Sequence, residues 1–148
     1  MSLEIREFQV SDYDSALALW KRCEGIGLSA ADERCPVTNF LNHNPGFCFV
    51  ALEDGELVGT VLCGNDGRRG YLYHLAVDPR FRKQGLGGQL AKRSLEGLQS
   101  AGIQKCHIMV FGTNKSGQTF WQHAGWIPRP EIVLMSYDVT CAKDVSPC

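Results

Sequence analysis

Apolar residues alternate with polar ones over residues 3–10, and the period then changes: Tyr13, Ala16, Leu17 and Trp20 fall at i, i+3, i+4 and i+7. The first pattern predicts a strand. The second predicts a helix with one apolar face, opened by Ser11-x-x-Asp14 as a capping box and ending near Gly25-Ile26-Gly27. A weaker helical pattern carries Val37, Phe40 and Leu41 and stops before Asn44-Pro45-Gly46. Between the two helices lies an irregular, partly acidic segment, residues 24–34.

Two short apolar runs, 47–53 and 57–64, flank Asp54-Gly55, a hairpin signal because both residue types accept positive φ. A third strand pattern covers 71–77, after the turn Asp66-Gly67, and Asp78-Pro79 ends it. A helical stripe through Gly87, Ala91, Leu95 and Leu98 begins at Leu86 and is closed by Gly102. Residues 105–111 read as a strand, 116–124 as a short helix capped by Gly125, and 132–139 as a final strand. The order is strand, two helices, three strands, helix, strand, helix, strand, without internal repeats. That is an α/β chain whose mixed sheet is flanked by helices.

The 148 residues, 44% of them hydrophobic, suit a single domain with its own core, residues 3–140 carrying the structure and 141–148 a polar tail. Fifteen basic against sixteen acidic residues give no field for wrapping nucleic acid or lying on an acidic membrane. No apolar run approaches the roughly 20 residues of a membrane span, and the N-terminus has no signal-peptide core, so a soluble, cytoplasmic protein is expected. Seven cysteines without a CxxC pair argue against a zinc site or a disulfide framework. Cys23, Cys48, Cys63 and Cys106 read as reduced, buried hydrophobes, and Cys141 and Cys148 as exposed.

The chemistry concentrates in Arg82-Lys83-Gln84-Gly85-Leu86-Gly87-Gly88, a basic, glycine-rich turn between the third strand and the helix that follows. Glycines let a ligand approach the backbone, and first-turn amides have no carbonyl partners of their own, so such a turn can hold a phosphate. A tight strand-to-helix connection uses the same residues. The dinucleotide fingerprint fails, because Leu90 occupies the third glycine position and no acidic residue lies in 105–111. No Walker sequence exists either.

The stretch from Leu75 to Leu90 closely resembles the acetyl-CoA motif of the GNAT N-acetyltransferases, [R/Q]-x-x-G-x-[G/A], with Arg82, Gly85 and Gly87 in the signature positions. Asn114 and the segment Phe120-Trp121-Gln122-His123-Ala124-Gly125-Trp126 resemble that family's second motif, and the element order matches its fold from end to end. Leu19 to Cys23, Val58 to Val61 and Asp66 to Gly70 resemble the bacterial YpeA-like branch. The resemblance implies a twisted mixed sheet with two splayed strands. It implies acetyl-CoA as co-substrate, its pyrophosphate on the amides of Arg82, Lys83, Gln84, Gly85, Leu86, Gly87 and Gly88. Its pantetheine arm would lie along Leu75, Ala76 and Val77, with Asn114 touching the arm and Trp121 bordering the cofactor. No metal is called for, and family members commonly form homodimers.

In members with a base on this strand, the base stands four or two residues before the Leu75 position, which are Tyr71 and Tyr73 here. Strict alternation puts Tyr71, Tyr73, Leu75 and Val77 on one face and Leu72, His74 and Ala76 on the other, turning His74 away from the chemistry. Tyrosine, with a pKa near roughly 10, serves better as an acid or water-positioning group than as a base. The family's thiolate-protonating tyrosine is replaced by Trp121, and the glutamate of its protein N-terminal acetyltransferases by Met109. His123 falls at a helix C-terminus, where the dipole favours an imidazolium. Glu24, Asp32 and Glu33 could attract a cationic amine. The expected activity is transfer of an acetyl group to a primary amine of a small or amino-acid-like molecule. The alternatives are a non-catalytic CoA-binding relative, another acyl-CoA, or a protein or peptide amine.

Overall fold

Contacts divide the chain into two units, Met1–Met109 and Val110–Cys148. The computed structural model describes residues 2–140. The first unit carries strands β1 (Leu3–Glu7), β2 (Phe49–Glu53), β3 (Glu56–Asn65), β4 (Gly70–Val77) and β5 (Cys106–Ile108), with helices α1 (Tyr13–Arg22), α2 (Arg34–His43) and α3 (Leu86–Ser100). Its sheet order is β1-β2-β3-β4-β5. The first three pairings are antiparallel, and β4 and β5, joined through α3, run parallel.

Local chemistry explains the connections. Asp54 and Gly55 take φ of 50° and 83°, the pair of positive values a two-residue hairpin requires. The start of α1 differs from the Ser11/Asp14 box read from the sequence. Asp12 instead accepts from the amide of Gln9 at 2.8 Å and binds the Arg6 guanidinium at 2.8 and 2.9 Å, while Asp14 pairs with Arg34. The helix also ends at Arg22, before the glycines.

The sheet separates two apolar layers. Adjacent positions on β3 show it: a Cβ at Gly59 would lie 2.9 Å from Leu90 of α3, whereas Thr60 accepts from the indole of Trp20 in α1 at 2.8 Å. On the α1/α2 side Ala16, Leu19, Trp20, Val37 and Leu41 pack with Phe8, Val50, Leu62 and Ala76. On the other side α3 buries Leu86, Leu90, Ala91, Ser94 and Leu98. That stripe is rotated from the expected one: steps of four bring Ser94 inside, its hydroxyl on Phe47 O at 2.7 Å, and leave Gly87 and Leu95 half-exposed.

Cys23, Cys48, Cys63 and Cys106 are free thiols, the first three buried and the last half-buried. Burial pushes Cys48 up to about 12 and Cys106 up to about 11, which makes them packing groups rather than nucleophiles. Cys35 is disulfide-bonded, so the odd count and the missing CxxC do not exclude a bridge. Cys141 and Cys148 lie outside the described residues.

The second unit holds α4 (Lys115–His123), with Gly125 at φ 99° and the amide of Trp126 on Trp121 O at 3.0 Å closing it as expected. Residues 132–139 correct the sequence reading. They form no strand, and their apolar side chains are exposed, Met135 at 85% and Tyr137 at 90%. Alternation specifies which side chains share a face, but a strand also needs a neighbour for its backbone groups. Among the described residues no helix is long and apolar enough to cross a membrane.

Candidate active site

The site starts from an interruption in β4. Its pairing with β5 covers only Gly70, Tyr71 and Leu72. From Tyr73 to Val77 the edge of β4 away from β3 has no strand beside it among the described residues, so an extended ligand could pair with it as a strand does. On the β3 side Tyr73 pairs with Leu62 and Ala76 with Thr60, which sets His74 and Leu75 against the single residue Val61. This is a β-bulge, and His74 takes its left-handed conformation at φ 48°.

The bulge overturns the alternation drawn from the sequence. Tyr73 packs against the α1/α2 core, its ring centroid 5.9 Å from that of Phe40. His74 comes to the same side, 4.8 Å from Trp20 and with Nε2 2.6 Å from Asp32 Oδ1. Ala76 lies there too. Leu75 and Val77 therefore pass to the face they were expected to leave to His74. Tyr71 stays half-buried, its ring 5.8 Å from His107.

Asp32 is fixed as well. It ends a short 3-10 turn over Ala30–Asp32, where Oδ2 accepts from the amide of Ser29 at 2.9 Å. Its carbonyl accepts from the Tyr13 hydroxyl at 2.7 Å. Of the acidic residues Glu24, Asp32 and Glu33, Asp32 is the one engaged with His74. Thr60, buried in β3, donates to His74 O at 2.9 Å while accepting from Trp20, so backbone and ring of His74 are both held. Burial raises the Tyr73 hydroxyl above its ordinary value, keeping it protonated at neutral pH and able to donate.

Beyond β4 the buried carboxylate of Asp78 organises the turn. It accepts from Arg80 N at 2.9 Å, Arg80 Nε at 3.1 Å and Arg22 Nη2 at 3.0 Å, and these partners hold it well below the usual carboxylate range. Arg82 Nε bonds Val77 O at 3.1 Å. The chain then crosses the positive-φ positions Lys83 (63°) and Gly85 (78°) and enters α3 with no side-chain cap. No acceptor among the described residues takes the amides of Arg82, Lys83, Gln84, Gly85, Leu86, Gly87 and Gly88. The ladder resumes with Gln89 N on Gly85 O at 3.1 Å. A Cβ at Gly85 or Gly88 would meet nothing within 4 Å, so no internal packing demands glycine at Gly88. A run of free amides at the positive end of a 15-residue helix suits an anion.

In the second unit Asn114 is the N-cap of α4, its Oδ1 accepting from Gly117 N at 3.0 Å. Trp121 is half-buried between Phe120 and Trp126, with ring centroids at 5.1 and 4.9 Å. His123 occupies the last turn, as expected.

The acetyltransferase (GNAT) family model matches residues 10–126. This chain belongs to the GNAT family. It is accordingly an N-acetyltransferase enzyme, built on the GNAT fold of a mixed five-strand sheet flanked by helices. An acetyltransferase of Yersinia enterocolitica is 38% identical over 132 residues, covering 89% of this chain and 93% of its own. Among solved structures, the PaiA N-acetyltransferase from Thermoplasma acidophilum in complex with coenzyme A superposes with a TM-score of 0.76 at 18% identity, covering 84% of this chain and 89% of that one. An aminoglycoside acetyltransferase from an uncultured soil metagenomic sample, in complex with sisomicin, gives 0.72 at 18% identity, covering 93% and 97%. The position that sequence reading misplaced is His74. A positive φ at a histidine leaves no sequence signal, and period-two counting carries the wrong face past the bulge.

Proposed function

We propose that this enzyme moves an acetyl group from acetyl-CoA to a primary amine of a small molecule, binding the CoA pyrophosphate on the amides of Arg82 through Gly88. The observation that carries the reading is that run of unclaimed amides entering an uncapped helix beside the unpaired edge of β4. Leu75, Ala76 and Val77 offer that edge to the amide groups of the pantetheine arm, and one of its amides would donate to the oxyanion of the tetrahedral intermediate. Tyr73 supplies a proton for the departing thiolate, with Tyr71 shaping the same mouth. The CoA and sisomicin complexes of the two structural neighbours support the donor and the amine class. The family match over residues 10–126 spans both units, which supports reading them as one catalytic domain.

Gly88→Leu tests the assignment cleanly, because Gly88 is exposed, an added Cβ meets nothing within 4 Å and leucine favours a helix over glycine. The apo variant should melt at or above the wild-type temperature. Saturating CoA at about 100 times Kd should stabilise the wild type by about 2.7 kcal/mol, roughly 8 °C for a chain this size, and the variant by almost nothing. Full protection of Gly88→Leu would refute the pyrophosphate site. A panel of primary amines, followed by thiol release from acetyl-CoA, tests the acceptor class.

A further inference from the structure

We infer that His74 is the proton acceptor of the transfer reaction and Asp32 the residue that positions it, an inference that rests on the acetyltransferase reading above. The two ring nitrogens have different surroundings. Nε2 faces Asp32 Oδ1 at 2.6 Å, and a carboxylate oxygen only accepts, so Nε2 carries the proton and Nδ1 presents its lone pair in the neutral ring. Nδ1 has no partner among the described residues, and the His74 side chain keeps 14% of its surface exposed. A histidine merely filling the core would have both nitrogens satisfied or covered.

The placement agrees with the chemistry. His74 stands two residues beyond Leu72, the last β4 residue paired with β5, so its ring lies where the sheet opens. The left-handed backbone at φ 48° brings it to the side of Tyr73, and Thr60, Trp20 and Asp32 hold it there. Strained residues that their surroundings over-determine gather at functional positions. The ionisable group that faces the ring is Asp32; Tyr73 precedes His74 on its own strand, and Tyr13 of α1 reaches the Asp32 carbonyl, with Asp14 and Arg34 paired beyond it. Arg34 is paired with Asp14 at 2.6 Å and stacked on Tyr13 at 4.9 Å.

The step balances without a further reactant. The neutral amine nitrogen attacks the thioester carbonyl carbon, forming the C–N bond and placing the carbonyl electrons on oxygen. Nδ1 takes the proton from that nitrogen, directly or through one water. Collapse of the oxyanion breaks the C–S bond, the sulfur leaves as thiolate and takes the Tyr73 hydroxyl proton, the proton held on His74 returns to the Tyr73 oxygen through water, and the products are the N-acetyl amine and free CoA.

The test uses the full-length enzyme, acetyl-CoA, and the amine of the panel that releases thiol fastest, with water as a second acceptor. His74→Gln keeps a donor toward Asp32 but no base, and should lower kcat by about 100-fold or more with KM for acetyl-CoA changed less than about threefold. The ascending limb of the wild-type kcat–pH profile should disappear. Asp32→Asn should lower kcat by about tenfold and move that limb to lower pH, because the imidazolium loses its anionic partner. A purely structural pair would alter melting temperature and leave the limb where it was. His74→Gln turning over like the wild type, or an unmoved limb in Asp32→Asn, overturns the inference while acetyl transfer stands. If His74→Gln fails to fold, the Asp32→Asn limb decides. Absence of thiol release by the wild type with every amine and with water would remove the acetyl-transfer reading and this inference with it.

Discussion

Asp78→Asn removes one charge and almost no volume at the point where β4 becomes the anion-binding turn. The wild-type carboxylate is 2% exposed and accepts from Arg22, from both ends of the Arg80 guanidinium, and from Arg80 N. Breaking a buried ion pair costs about 3–5 kcal/mol when the other charge stays buried. Here the guanidinium partners are 46% and 61% exposed and return to water, which reduces the expected loss to about 2–3 kcal/mol. For a chain of this size that is a fall of about 6–9 °C in Tm.

The pH dependence sharpens the test. Asp78 is held below the usual carboxylate range in the folded protein, so its contribution is complete above the unfolded value near roughly 3.9 and fades as pH falls towards the folded one. The wild-type advantage over Asp78→Asn should therefore be constant from pH 7 to about 5. Below pH 4 it should shrink by up to about 1.4 kcal/mol per unit. Urea unfolding of both proteins followed by circular dichroism, at intervals from pH 7 to 3, measures the difference directly. A gap under about 0.5 kcal/mol at pH 7, or one that stays constant down to pH 3, would show that Arg22, Asp78 and Arg80 behave as an ordinary surface cluster.

Thr60→Val leaves the Trp20 indole N–H and the His74 carbonyl without their partner and should destabilise the fold by about 2–4 kcal/mol, read as a lower urea midpoint at unchanged m. A loss below about 0.5 kcal/mol would mean that water replaces the hydroxyl at no cost. Tyr73→Phe should reduce kcat by about tenfold while leaving KM for acetyl-CoA in place, if the hydroxyl delivers the thiolate proton. Because burial raises that hydroxyl, no Tyr73-dependent fall in the wild-type rate should occur below about pH 10.

The parts of the fold that were legible are those set by short-range chemistry. Asp54-Gly55 specifies a hairpin through φ alone, and Gly102 and Gly125 close their helices through the left-handed values of 81° and 99°. The turn from Arg82 to Gly88 was legible for the same reason: its glycines and its position between strand and helix are local facts. What escaped depends on distant partners. Asp12 supplants Ser11 and Asp14 because Arg6, at the end of the preceding strand β1, supplies a charge that a capping rule read from four residues does not contain. Residues 132–139 have the alternation of a strand and form none, since pairing is a property of two segments.

His74 combines both limits. Alternation is reliable only while each residue of one strand faces one residue of the next, and here two residues face Val61. That single extra residue reverses every later side chain of β4: it brings His74 beside Tyr73 and sends Leu75 and Val77 to the α3 face. The next strand separates from β4 at the same level, after Leu72. The bulge therefore does two things with one residue, bending the strand where it parts from its neighbour and presenting an imidazole clamped on one nitrogen and open on the other. A sequence with tyrosines where a base was sought is then no obstacle to proton transfer, because the base can come from the residue that breaks the count.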